Sequence, residues 1–158
     1  VENALIKARA ACASSGLPAI ADDSGLEVDA LGGLPGVRSA RYAGDTADDT
    51  ANNAKLLAAL DGLPAARRAA RFRSVVVYLR HALDPAPIIT EGVWRGRILC
   101  QPRGEGGFGY DPLFLDPVQD SSAAQMSPME KNRLSHRGIA MRALCARLRE
   151  EWAARDDS

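Results

Sequence analysis

Lysine is scarce in this 158-residue chain, with only Lys7, Lys55 and Lys131 against 17 arginines. Long apolar runs are missing: none approaches the roughly 18–20 residues of a membrane helix. Val1-Glu2-Asn3-Ala4 is neither basic nor followed by an apolar stretch, unlike a secretory leader. Net charge is also absent, because 20 basic side chains balance 20 acidic ones. General affinity for nucleic acid rests on an electrostatic excess, so neutrality argues against a nucleic-acid partner. The three cysteines, Cys12, Cys100 and Cys145, are too few and too scattered for a disulfide frame or a zinc site. They predict buried thiols in a reducing, cytoplasmic compartment.

What is present, 46% apolar and 25% charged residues, is the composition of a globular protein, and the length predicts a single domain over residues 1–158. The zero total hides an asymmetry: residues 1–66 carry 5 basic and 9 acidic side chains, residues 67–158 carry 15 and 11. An acidic half suits a metal and a basic half suits phosphates, with chance as the competing reading. The 28 alanines and the arginine excess point to compositional bias, so an isolated Arg means little.

Periodicity predicts the elements. Leu5, Ala8 and Cys12 share a helical face, with Ala4 and Ala11 beside it, and Gly16 ends that helix. The chain therefore opens inside a helix, and residues are expected upstream. Leu17–Ala21 reads as a short buried strand running into Asp22-Asp23-Ser24-Gly25, and 32–36 reads as a loop. A second helix is expected from about Thr46 to Gly62. Residues 72–80 are apolar on both faces, the mark of a central strand. Residues 88–99 alternate Ile88, Thr90, Trp94 and Ile98 against Glu91, Arg95 and Arg97, so one side meets solvent. A short strand at 113–115 precedes Ser127-Pro128-Met129-Glu130, a helix start with cap, proline and glutamate in place. Met141, Leu144, Leu148 and Trp152 lie along one stripe of a last helix. His81 reads as a structural strand residue and Arg67-Arg68…Arg71 as a solvated face.

Three segments carry possible chemistry. Asp22 and Asp23 at a strand end are costly to desolvate without a cation. One of them can hold Mg²⁺ while Ser24 donates to a phosphate oxygen; an Asx turn bonded to backbone amides is the plainer reading. Gly104, Gly106 and Gly109 match G-x-G-x-x-G, but Pro112 and the strand beyond refuse the required helix. What survives is a loop able to approach a ligand, with Phe108 free to stack on a base or, alternatively, buried with Tyr110. Lys131 and Ser135-His136-Arg137 form the third segment. The latter stands at a helix start whose free amides suit an anion or a carbonyl oxygen, or serves only as a cap with His136 and Arg137 exposed.

Together, Leu17–Leu26, Leu31–Gly36, Ser39-Ala40-Arg41-Tyr42, Gly107–Pro112 and Ser135–Gly138, in this order, closely resemble the inosine triphosphate pyrophosphatase family. The resemblance spans nearly the whole chain. It implies an elongated α/β fold with a mixed sheet and a central nucleotide-binding cleft, a homodimer, and Mg²⁺-dependent hydrolysis of XTP, ITP or dITP to monophosphate and pyrophosphate. By motif position it implies Asp23 as catalytic acid/base, Asp23 and Asp22 as the metal carboxylates, and Ser24, Phe108, Gly109, Tyr110, Asp111, Lys131, His136 and Arg137 as the substrate-binding set. The last two are placed near the base. It also implies that this chain lacks the family's first strand, its Ser/Thr-Gly-Asn…Lys phosphate loop and a metal-binding glutamate, so that alone it is weakly active or inactive. Two alternatives stay open: a related pyrophosphatase for modified pyrimidine or methylated nucleotides, and a nucleotide-binding remnant without catalysis.

Overall fold

In a computed structural model, which describes residues 1–156, four helices and a five-stranded sheet realise the expected α/β class. The order is α1 (Glu2–Ser15), β1 (Ala19–Val28), α2 (Asp49–Ala59), β2 (Ala69–Leu79), β3 (Ile88–Ile98), β4 (Phe114–Asp116), β5 (Ser121–Ser122), α3 (Pro128–Leu134) and α4 (His136–Asp156). The sheet takes its strands in sequence order, β1 to β5. The β3–β4 and β4–β5 pairs are antiparallel, with Arg97 opposite Leu115 and Leu115 opposite Ser122. The chain divides into two compact units. One comprises residues 1–24, 74–93 and 134 onward; the other comprises 25–73 and 94–133.

The first unit is organised by the two-faced strand that the sequence announced. Val75, Val77 and Leu79 of β2 pack on Ala4, Ala8 and Cys12 of α1. Val76 faces the other way, onto Ile88 of β3 and Ala140 and Leu144 of α4, with Tyr78 and Leu148 at the margin. Alternating side chains thus bury both faces of one strand, which is why its apolar run is unbroken. Gly16 closes α1 in a left-handed conformation (φ 69°), its N–H bonded to the Cys12 carbonyl. Past β2, the Arg80 and Ala86 amides donate to the buried carboxylate of Asp84 at 2.9 Å each, and the Arg80 guanidinium bridges Asp84 to Glu151.

The second unit has an aromatic centre. Phe114 lies 4.5 Å from Phe72 and 4.9 Å from Trp94, centroid to centroid, and Trp94 Nε1 donates to Asp116 at 2.9 Å. A Cβ on Gly96 would strike the Phe114 ring, so glycine is required there. Ser39 draws its neighbourhood together. Its Oγ accepts the Leu26 amide at 2.8 Å and donates to the Gly36 carbonyl at 2.6 Å, while its own carbonyl takes the Tyr110 hydroxyl.

Several expectations are corrected. The first strand is neither short nor buried at its start: Leu17 and Ile20 are 64% and 50% exposed, and pairing carries β1 through the Asp-Asp-Ser-Gly segment to Val28. The second helix begins at Asp49, because Asp48, in extended conformation, accepts the Ala51 amide and caps it. Arg68 is buried rather than solvated; its guanidinium serves the carbonyls of Leu60, Leu63, Ile98 and Leu99. Arg71 pairs with Glu27. His81 is exposed in the bend after β2, and Cys100 and Cys145 are exposed while Cys12 is buried. Along α4, Leu144 is buried, but Met141 and Trp152 are left largely uncovered. Among the described residues no helix is long and apolar enough to cross a membrane.

Candidate active site

The site residues of the first unit lie on β1 and at the start of α4. Asp22, Asp23 and Ser24 sit in mid-strand, so their backbone groups belong to the ladder and the Asx turn is not formed. Successive strand side chains alternate in direction, and the two carboxylates find different partners. Asp22 Oδ2 accepts from Arg137 Nε at 2.8 Å. Asp23 Oδ1 is 3.7 Å from the ammonium of Lys7, which also donates to the Asp22 carbonyl at 3.1 Å. Asp23 is the more sheltered of the two, with 29% of its side chain exposed against 41% for Asp22. The Ser24 hydroxyl is buried with no hydrogen-bond partner among the described residues. An unspent donor beside two acids is costly unless a ligand completes it.

Ser135 caps α4: its Oγ accepts the Gly138 amide at 3.1 Å and its carbonyl the Ile139 amide. His136 is buried, so the cap reading with both following residues exposed does not hold. Two features of β3 seat the helix. The Thr90 hydroxyl donates to the Ala140 carbonyl at 2.9 Å, and a Cβ on Gly92 would collide with the His136 carbonyl.

The second unit carries the glycine loop and Lys131. Asp111 is buried; its Oδ2 accepts the Phe108 amide at 3.0 Å and forms an ion pair with Lys131. Gly107, at φ 70°, lies so close that any Cβ would enter the Asp111 carboxylate. The aromatic pair divides: Tyr110 is buried, whereas Phe108 is 58% exposed with the Lys131 ammonium 4.7 Å from its ring centroid. Burial, followed by the charges of Tyr42 and Asp49, pushes the Tyr110 hydroxyl well above its ordinary pKa. It remains a donor, to Ser39.

Sequence reasoning missed the clamp on this loop. Asp49 and Asn53, one turn apart on α2, take the two sides of Gly109: Asp49 Oδ2 accepts its N–H at 2.8 Å, and Asn53 donates to its carbonyl at 3.1 Å. Their four-residue spacing, which puts both on one helix face, is the signal the sequence carries. The approach of Lys7 to Asp23 is a second contact the sequence does not announce.

Among the described residues no three His, Cys, Asp or Glu side chains gather as a metal cage. The donors present still fit magnesium in the manner it usually adopts with nucleotides. It keeps several waters and takes one or two carboxylates together with substrate phosphates, and Asp23, with Asp22 next to it on the strand, is the carboxylate available for it.

The Ham1 family profile matches residues 1–147. A dITP/XTP pyrophosphatase of Thioalkalivibrio sulfidiphilus is 62% identical over 148 residues, covering 94% of this chain and 76% of that protein. The Methylococcus capsulatus protein of the same name is 64% identical over 149 residues, 94% of this chain and 74% of its own. Among solved structures, a HAM1 protein from Coxiella burnetii superposes with a TM-score of 0.88 at 49% identity, covering 95% of this chain and 76% of that one. The Staphylococcus aureus Ham1 protein gives 0.86 at 43% identity, with the same coverage. By sequence and by fold, this chain belongs to the Ham1 family.

Proposed function

We propose that this chain is a nucleoside triphosphate pyrophosphatase that converts dITP, XTP and ITP to the monophosphate and pyrophosphate. The observation that carries the reading is the Lys131 ammonium, fixed by buried Asp111 beside an exposed Phe108 ring. A cation for phosphates next to a stacking face for a base is what a nucleotide needs. The names of the relatives, dITP/XTP pyrophosphatase, agree with it.

In the reaction, water attacks the α-phosphorus, the bond from that phosphorus to the bridging oxygen breaks, and pyrophosphate leaves with the electron pair. Asp23 takes the proton of the attacking water. Ser24 donates its unspent hydroxyl to a phosphate oxygen, and Lys131 steadies charge that develops on the departing group. Asp23, with Asp22 beside it, would hold magnesium carried with the nucleotide, which would supply charge neutralisation and a lowered pKa for bound water. Phe108 and Gly109 present the loop to the substrate, and Tyr110 and Asp111 hold its shape from beneath. His136 and Arg137 discriminate at the base. Hypoxanthine and xanthine offer a carbonyl at position 6 for a donor, whereas adenine offers an amino group that leaves the donor unpaired. The protein works in this reading as a single-domain cytoplasmic enzyme and a homodimer.

A panel of ITP, XTP, dITP, GTP, ATP and dTTP with Mg²⁺, followed by pyrophosphate release, tests the proposal. Turnover confined to the first three is expected, and Asp23→Asn abolishes it with the fold intact. GTP turnover equal to that of XTP defeats the selectivity. Nucleotide binding without pyrophosphate release makes the protein a binding module.

A further inference from the structure

A cavity of about 330 Å³ opens in the second unit, made of none of the residues assigned to the nucleotide. Arg68, Arg97 and Arg103 line it with Cys100 and Gln101, and no acidic residue contributes to its wall. The three guanidinium groups differ in how they are engaged. Arg68 is saturated by backbone carbonyls. Arg103 lies 4.0 Å from Asp120, an acid whose side chain is 86% exposed; such a pair is weak in water. Arg97 has a buried Nε with no hydrogen-bond partner among the described residues. A desolvated charged donor that finds no acceptor is expensive, and the guanidinium that carries it belongs to a side chain lining a chamber whose wall includes no acidic residue.

We propose that this cavity is a second binding site, specific for an oxyanion of the phosphate class, with Arg97 as its principal donor and Arg103 as a second cation at the wall. A guanidinium offers a planar fork of N–H groups that matches tetrahedral oxyanions. The uncompensated charge of the wall is satisfied by one such ligand. Orthophosphate, pyrophosphate and the phosphate of a nucleotide share this chemistry.

Cys100 provides a reporter, since its exposed thiol lines the cavity. Cys145, exposed on α4, is the internal control. Alkylation of both by neutral iodoacetamide is followed by peptide mass spectrometry, with and without sodium pyrophosphate, within each variant. Saturable, several-fold slowing at Cys100 with Cys145 unchanged is the expected result. Arg97→Leu removes the slowing, Arg97→Lys weakens it by keeping the charge without the planar fork, and Lys131→Met retains it. That last variant separates this site from the proposed nucleotide site, so the two readings fail independently. Orthophosphate and inosine monophosphate arms tell a free anion from a nucleotide-borne phosphate. The proposal is overturned by an unprotected Cys100, by equal protection from acetate at matched ionic strength, or by protection that survives unchanged in both Arg97 variants. Protection lost in Lys131→Met also overturns it.

Discussion

Lys131 and Asp111 form an ion pair in which the same carboxylate oxygen also receives the Phe108 amide. The Lys131 ammonium and the loop that carries the exposed ring are therefore fixed by one buried acid. Lys131→Met leaves that acid buried and unpaired, which costs about 3 kcal/mol of stability by the usual measure of a broken buried pair. In urea titrations Lys131→Met with Asp111→Asn is expected to be more stable than Lys131→Met alone. Equal stabilities would mean that the pair does not anchor the loop.

Gly107 has a single tolerable identity. Its positive φ disfavours any Cβ, and the Asp111 carboxylate fills the space a methyl would need. Gly107→Ala is expected to lower the melting temperature and raise KM for dITP, both read on purified protein. Gly33→Ala is the control: it shares the positive φ but has nothing within 4 Å, so it bears on stability and leaves KM alone.

Arg68 binds the end of the α2 segment to the end of β3 through four backbone carbonyls. Arg68→Met strands these acceptors in a buried place, and the loss is expected to reach about 3 kcal/mol or more in equilibrium unfolding. Arg68→Lys restores little, because one ammonium cannot reach carbonyls that a flat fork spans.

Asp84 sets an acid limit. Backbone donation from Arg80 is the largest cause holding its carboxyl down at about 2, with the Ala86 amide and the Arg80 side chain adding to it against the opposing effect of burial. A depressed folded pKa means stabilisation present above the unfolded value, near 4, and lost as pH falls toward 2. The contribution is at most about 2 kcal/mol. The stability difference between the protein and Asp84→Asn should shrink across that window and vanish near its lower end. A difference constant from pH 7 to pH 2 would remove this group from the acid limb.

Local signals were legible where local rules decide the outcome. The two-sided apolar run of β2, the Gly16 stop and the Ser127 cap, whose Oγ accepts the Glu130 amide, each follow from neighbours a few residues away. The family was legible from its motifs as a set, because the segments around Asp23, Phe108 and His136 keep their order along the chain. What stayed hidden depended on distant partners. Asp22-Asp23-Ser24-Gly25 has the composition of a turn, yet strand pairing extends β1 through it. Arg68 looked like one of a solvated run, because the carbonyls that bury it lie 5–8 and about 30 residues away. The Asp49–Asn53 grip on Gly109 spans 56–60 residues and leaves almost no trace in either segment.

Gly92 brings two backbones together. Main chain rests directly against main chain where α4 starts, with no side chain between to flex or swap rotamers. The pitch of the segment bearing His136 and Arg137 is thereby set by two rigid surfaces, as a key blank is held by the jaws of a vice. A single methyl at residue 92 would act as a shim, tilting both side chains together without touching either one.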